Sequence, residues 1–404
     1  MKLGVVCSLG LLLNACMLGP TAIRVGHVKY NEAVQTTTME QLLLNLVRLK
    51  YRQPPAFLEL ENVSAQFQFD QSADLEGRIN EGPTRFGPDS LSVSSGISYA
   101  ERPTLTYTPL KGDEFVRRML SPLNLETIAL LSQSAWSIDR VMRLTIQEIN
   151  GLDNASSASG PTPSMAPPFE DFARFSELLR ELQIQGLVDI VYVTRPKELS
   201  DAIPSEAVDG QAVVKAAEQG YSFRSTKKGY ILAEETRSPV LRISPKAVDS
   251  QEVRELLDLL GLKVGKSTYD ITVSISDHAK PDESASYDNL IISTRSLLGT
   301  LFYISQAVEV PMLHRKFGLV RITRDELGEP FDWSRITGDL IRIHSQMVPP
   351  VNAAVAVRYK EHWFYISESD LESKATFSLL VQLFELQAGK EAGAAPVLTL
   401  PIGG

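Results

Sequence analysis

The stretch Val355-Ala356-Val357-Arg358-Tyr359-Lys360-Glu361-His362-Trp363-Phe364-Tyr365-Ile366 places bulky β-branched and aromatic residues at every second position on both sides of a polar pair. Successive side chains of a strand point to opposite faces, so this pattern predicts an antiparallel hairpin turning at Lys360-Glu361. Trp363 and Tyr365 then share one face and Phe364 takes the other. Directly afterwards, Ser369 and Glu372 have the spacing of a capping box, and Phe377, Leu380, Val381 and Phe384 recur at helical period. Strands followed by a helix able to cover one of their faces are the grammar of an α+β fold. If the helix covers the aromatic face, Trp363 and Tyr365 are packing residues; an open face makes them a partner-binding surface.

Working upstream, the pattern predicts a strongly apolar helix over Leu290–Val308, ended before Pro311, a strand over Tyr269–Ile275 and an amphipathic helix over Val248–Leu260. Earlier still come a hairpin across Thr226–Gly229, a helix over Ala207–Glu218, a strand over Val188–Val193 and a helix over Phe169–Gln185 closed by Gly186. Residues 154–168 are almost entirely Ser, Ala, Gly and Pro, a composition with little apolar surface to offset the entropy of ordering. A flexible linker is expected there.

The first half reads as a helix capped by Asn31 and stopped at Pro54-Pro55. A strand follows from Leu58, whose alternation changes phase at Asn62-Val63, the sign of a bulge. Residues 71–90 are polar and Gly- and Asp-containing, a predicted loop. Leu91–Tyr99 and Leu105–Tyr107 read as a second hairpin turned by Glu101-Arg102-Pro103. Helices are predicted around Phe115–Leu120 and Glu126–Leu131, while Met142–Ile146 suits a strand or a continuing helix. The expected architecture is thus α+β (mixed α/β), two modest domains of mixed sheets with packed helices. An N-terminal α+β domain covers 31–152, a Ser/Pro/Gly-rich linker 153–168, and a C-terminal α/β domain 169–404, long enough for two subdomains.

Composition supports a folded body: 404 residues, 43% hydrophobic and 22% charged. A net charge of −9 opposes attraction to polyanions, so no nucleic-acid partner is expected. Gly261-Leu262-Lys263-Val264-Gly265-Lys266-Ser267 is one residue short of a phosphate-binding loop and sits between a predicted helix and strand, the reverse of the order a phosphate nest needs. No nucleotide is expected. The five histidines (27, 278, 314, 344 and 362) form no paired frame on a helix, and Asp277-His278 with Asp282 reads as a solvated turn, so neither metal nor cofactor is predicted. No G-x-S-x-G elbow occurs, which leaves catalytic residues unassigned and favours a protein that acts by binding. The alternative is a hydrolase with a dispersed site in the C-terminal domain.

At the N-terminus, Lys2 precedes an apolar run from Leu3 to Leu13, too short to span a bilayer, and Leu13-Asn14-Ala15-Cys16 follows. This resembles the lipobox of bacterial lipoprotein precursors. The resemblance implies a signal peptide over 1–15, cleavage after Ala15, and lipidation of Cys16 with diacylglycerol and an amide-linked acyl chain such as palmitate. It also implies a tether over 16–30. Several chains on one residue give lasting attachment where a single chain is marginal. Met17 follows the cysteine where many inner-membrane lipoproteins carry Asp, so the resemblance implies the outer membrane and its periplasmic face. The membrane is then met only through the N-terminal lipid. The expected role is a non-catalytic scaffold or accessory subunit of a cell-envelope assembly with an envelope protein as partner. Only Cys7 and Cys16 occur, so the mature chain has no disulfide.

Overall fold

The computed structural model describes residues 18–78, 90–134, 136–274 and 287–388. The fold is α+β with several mixed sheets, as expected. Two compact units divide it, but not where composition suggested: one takes the chain up to residue 35 with 56–112, the other takes 36–55 with 113–404.

Helix α1 (Leu18–Lys50) contributes to both units and begins well before Asn31, so residues expected as a tether are helical from Leu18. Pro20 lies in its first turn, where a missing N–H is no loss. The first unit otherwise consists of one ribbon, β1 (Leu58–Arg78) paired antiparallel with β2 (Ser90–Pro109). The register shifts between Leu60 and Asn62, beside the predicted phase change. Residues 71–78, the start of the expected loop, remain in the strand, and Glu101-Arg102-Pro103 continues β2 opposite Phe67, Gln66 and Ala65, so the expected second hairpin is replaced by a single long pairing. Proline is tolerated there because each strand of a two-stranded ribbon has a free edge. Residues 79–89 lie outside the described residues.

The second unit continues through α2 (Asp113–Leu120), α3 (Leu125–Gln133), α4 (Ile138–Thr145), β3 (Ile146–Ile149) and β4 (Leu152–Asp153). The ambiguous Met142–Ile146 stretch is therefore a helix that passes directly into a strand. Next come α5 (Glu170–Ile184), β5 (Val188–Glu198), α6 (Gly210–Glu218), β6 (Tyr221–Thr226), β7 (Gly229–Ile243), α7 (Gln251–Leu259) and β8 (Thr268–Val273). These match the predicted order, with β5, β7 and the hairpin extended. The strands form one sheet in the order β4-β3-β9-β8-β7-β5, where β9 is Leu290–Thr294 and β6 adds onto β7. Phe172, Phe175, Leu179 and Leu182 of α5 and Val253, Leu256 and Leu257 of α7 pack with Leu241, Tyr269, Leu290 and Ile292 in the main core.

The apolar run Leu290–Val308 is not one helix. It divides into β9 and α8 (Leu297–Ser305), with Ser296 Oγ accepting from Gly299 N at 3.0 Å as the helix cap. β9 lies between β3 and β8, parallel to β8; Leu290 and Ile292 are buried while Ile291 is exposed, and an isoleucine at the exposed position hides in the sequence the alternation that would separate a strand from a buried helix. Beyond it are α9 (Met312–Lys316), α10 (Ser334–Thr337), β10 (His344–Gln346), β11 (Ala353–Tyr359), β12 (His362–Ser367) and α11 (Leu371–Ala388). The β11–β12 hairpin pairs Tyr359 with His362 as read from the sequence. The helix cap moves one residue along: Asp370 Oδ1 accepts from Ser373 N at 3.0 Å, while Glu372 pairs with Arg140.

Lys360 and Glu361 both hold positive φ, 45° and 64°, without a glycine. This is a tight hairpin turn of the type that favours Asn-Gly, and each non-glycine residue in the left-handed region is disfavoured. The double substitution Lys360→Asn and Glu361→Gly is expected to stabilise the chain by about 1 kcal/mol, read as a rise in the thermal midpoint.

The expected linker is instead packed. Asn154, Ala155, Ala158 and Thr162 are buried, Ala155 N donates to Pro168 O at 3.0 Å, and Ser156–Ser159 form a 3₁₀ turn. A Cβ built on Gly299 of α8 would meet Ser159 Cβ at 3.4 Å, so the small residues serve close approach. Arg295, fully buried, fastens the segment. Its guanidinium donates to the carbonyls of Arg143 (2.9 Å), Ile146 (2.6 Å) and Asn154 and to Ser159 Oγ (3.0 Å), and lies 4.0 Å from the Tyr303 ring centroid. Packing and bonds to a buried cation supply the ordering energy that composition alone did not reveal.

Candidate binding surface

The three-stranded sheet β10-β12-β11 has β12 at its centre. Phe364 and Ile366 of β12 are fully buried on the side where α11 packs, along with Phe377, Leu380 and Leu383. Trp363 and Tyr365 lie on the other side and are half-buried. Register places His344 opposite Tyr365 and Gln346 opposite Trp363 on one flank, with Ala356 and Arg358 on the other. The His344 and Tyr365 rings lie 5.4 Å apart. The helix thus covers the Phe364 face and leaves the predicted Trp363 and Tyr365 face partly open.

Adjacent to this sheet, a groove is lined by Met312 of α9, Met347 of the β10–β11 loop, Glu309, Gln346 and His362. Two of its lining side chains stand in water, Met312 at 82% exposed and Met347 at 74%, and Phe317 after α9 and Val351 before β11 are exposed as well. Exposed large apolar side chains drawn from two neighbouring segments are the mark of a surface that another molecule covers.

His344 also lines a cavity of about 440 Å³. Its buried end is Lys50, the last residue of α1, whose Nζ donates to Gln306 Oε1 at 2.9 Å and lies 5.7 Å from the Trp333 ring centroid. Val308, Val320 and Ile341 give it apolar walls, and Trp333 is held by its Nε1–H donating to Thr323 Oγ1 at 3.2 Å. Burial removes water from the Lys50 ammonium and Arg315 adds like charge, which together bring its pKa down to about 7. Leu43, Leu46 and Lys50 stand three and four residues apart on one face of α1. That lysine on an otherwise apolar stripe is the signal that sequence reading passed over.

His314 and His362 adjoin, while His344 lies apart from them beside Glu309. Tyr51 Oη lies 2.6 Å from His314 Nδ1, and the His314 and His362 rings are 4.7 Å apart. Burial first, then the charges of His362 and Lys360, lower the pKa of His314. Burial, with Tyr359 adding to it, raises the Tyr51 phenol. Both shifts favour a neutral pair in which Tyr51 donates. His344 Nδ1 lies 3.6 Å from Glu309 Oε2, and His362 Nδ1 lies 3.2 Å from Lys360 O. His278 and its neighbours Asp277 and Asp282 lie outside the described residues. Among the described residues no group of three or more His, Cys, Asp or Glu is placed to hold a metal ion, and no helix is long and apolar enough to cross a membrane. In the loop that resembles a phosphate nest, Lys263 and Lys266 both bond the Asp288 carboxylate, at 2.9 and 2.7 Å, and hold its pKa down to about 2.

Neither a protein-family model nor a curated protein or solved structure matches this chain.

Proposed function

We propose that this chain is a bacterial lipoprotein precursor, anchored by lipid on Cys16 to the periplasmic face of the outer membrane. In this reading its folded body is a non-catalytic scaffold or accessory subunit of a cell-envelope assembly. The observation that carries the binding role is the set of exposed apolar side chains Met312, Phe317, Met347 and Val351, together with the half-open face of Trp363 and Tyr365. Covering such side chains contributes roughly 25 cal/mol per Å² of apolar surface, enough for a few of them to anchor an envelope protein partner.

The test is metabolic labelling with palmitate in cells carrying the parent or Cys16→Ser, combined with membrane fractionation. The parent is expected to take up label and stay with membranes, and the variant to lose the label and keep precursor mass. A parent without label, or a variant held as firmly at unchanged mass, overturns the anchor. In detergent extracts, the paired substitution Met347→Asp and Val351→Asp is expected to shrink the sedimenting particle to a single chain. An unchanged particle size overturns the binding surface.

A further inference from the structure

We infer that the cavity ending at Lys50 binds a small organic monocarboxylate with an apolar or aromatic body. Lys50 is 5% exposed, and Gln306 Oε1 is the hydrogen-bond acceptor of its amine. Among the described residues no carboxylate lies within ion-pair distance of it. A buried cation without a counter-ion is destabilising, because the penalty of several kcal/mol for taking an ion out of water is offset only by a partner of opposite charge. The cavity leaves room for that partner to arrive from outside.

The rest of the lining fits the same ligand. Arg315, Arg321 and Arg342 are exposed at the mouth, a cationic rim that attracts an anion and guides it inward. Arg315 and Arg342 use Nε to bond the carbonyls of Val310 (3.0 Å) and Gly338 (2.7 Å), which ties each guanidinium in place. The two acids of the lining are already engaged: Glu309 Oε2 accepts from Ser345 N at 3.2 Å and faces His344, and Asp332 Oδ1 accepts from Ser334 N at 2.9 Å. A single cation at the closed end matches a single negative charge. The walls of Trp333, Val308, Val320 and Ile341 match an apolar body rather than a sugar or a polyphosphate. About 440 Å³ is the volume of a small-molecule site.

Protonation is part of recognition. Lys50, brought down to about 7, is only partly charged near neutrality, so a carboxylate draws a proton onto it. Affinity is expected to fall by up to about tenfold per pH unit above 7 as the free amine loses its proton. The other charged and titratable groups lining the cavity are Arg315, Arg321, Arg342, Glu309, Asp332 and His344. A Lys50→Met variant retains all of them, and so separates their share of the pH profile from that of Lys50.

The experiment titrates the full-length, detergent-solubilised chain with phenylacetate and hexanoate, and with the neutral phenylacetamide, at pH 7 and 9, following heat and tryptophan fluorescence. Saturable binding of a carboxylate is expected, at least tenfold tighter than phenylacetamide and weaker at pH 9. Lys50→Met is expected to lose at least tenfold in affinity together with the pH dependence. Should that variant fail to fold, Ile341→Trp, which fills the cavity and keeps Lys50, is expected to abolish binding. Absence of binding by both acids, equal binding of acid and amide, or undiminished binding by Lys50→Met or Ile341→Trp overturns the inference. None of these results bears on palmitate labelling, so the two proposals fail separately.

Discussion

Arg295→Met is expected to destabilise the second unit by about 3 kcal/mol, and Arg295→Lys by about 2, with urea denaturation as the measurement. Methionine refills most of the volume and removes the cost of burying a charge, so packing alone predicts a mild effect. The loss comes from what the guanidinium leaves behind. It donates to the carbonyls of Arg143, Leu144, Ile146 and Asn154 and to Ser159 Oγ, and a buried acceptor left unbonded costs about 1–3 kcal/mol. The Asn154 side chain still donates to Arg143 O (2.9 Å) and Ile146 O (2.7 Å), and Thr300 Oγ1 lies 3.3 Å from Leu144 O. Asn154 O and Ser159 Oγ are therefore the atoms stranded by the change, which keeps the estimate near two acceptors rather than five. A lysine ammonium has donors enough for them but lacks the fork that spans both clusters. Burial lowers the pKa of Arg295 to about 10, still well above neutrality, so it remains a cation in the interior. A second readout isolates the cause: residues 155–165 are expected to become the first site of limited proteolysis in Arg295→Met, because their tie to α8 is gone. A change below 1 kcal/mol without new cleavage there would show that small-residue packing orders the segment unaided.

What could be read from sequence was what neighbours along the chain decide. The β11–β12 hairpin, α5 with its terminating Gly186 and the β1 bulge all rest on periodicity and turn chemistry within a dozen residues, and all appear in the structure. The apolar run through β9 reads as part of one helix, because a strand flanked by β3 and β8 with an isoleucine at its exposed position presents the same composition as a buried helix. The stretch 154–168 read as a linker because its order comes from Arg295, well over a hundred residues later. The second unit takes 36–55 for the same reason: α1 meets the segment after α8 through distant pairs, such as Lys50 with Gln306. At the candidate surface, alternation separated the Trp363 and Tyr365 face from that of Phe364, while Lys50, Trp333 and Arg315 come together only in three dimensions. The placing of a lysine on the apolar stripe of α1 was the local trace of that cavity.

A buried lysine retained without a counter-ion also sets how stability responds to pH. Its folded-state pKa, about 7, lies below the ordinary lysine value of 10.5. Between those values the unfolded chain binds more protons than the folded one, so this residue makes stability rise with pH, by up to about 1.4 kcal/mol per unit, and adds no slope below about 7. Lys50→Met deletes the term. Methionine fills a similar volume, retains contact with Trp333 and leaves Gln306 Oε1 facing the cavity, where water can reach it. The variant is accordingly expected to be more stable than the parent by about 1–4 kcal/mol at pH 7, the gain seen when buried ions yield to hydrophobes. The margin is expected to narrow as pH rises toward 10. Urea midpoints for both chains at pH 6, 7, 8 and 9 test this, with the difference between them cancelling every other titrating group. A margin that stays constant or widens with pH would mean that Lys50 keeps its charge inside the fold. An added carboxylate that closes the margin at pH 7 by stabilising only the parent would tie this instability to ligand binding, because a group that costs stability when the cavity is empty is then the group that holds the ligand.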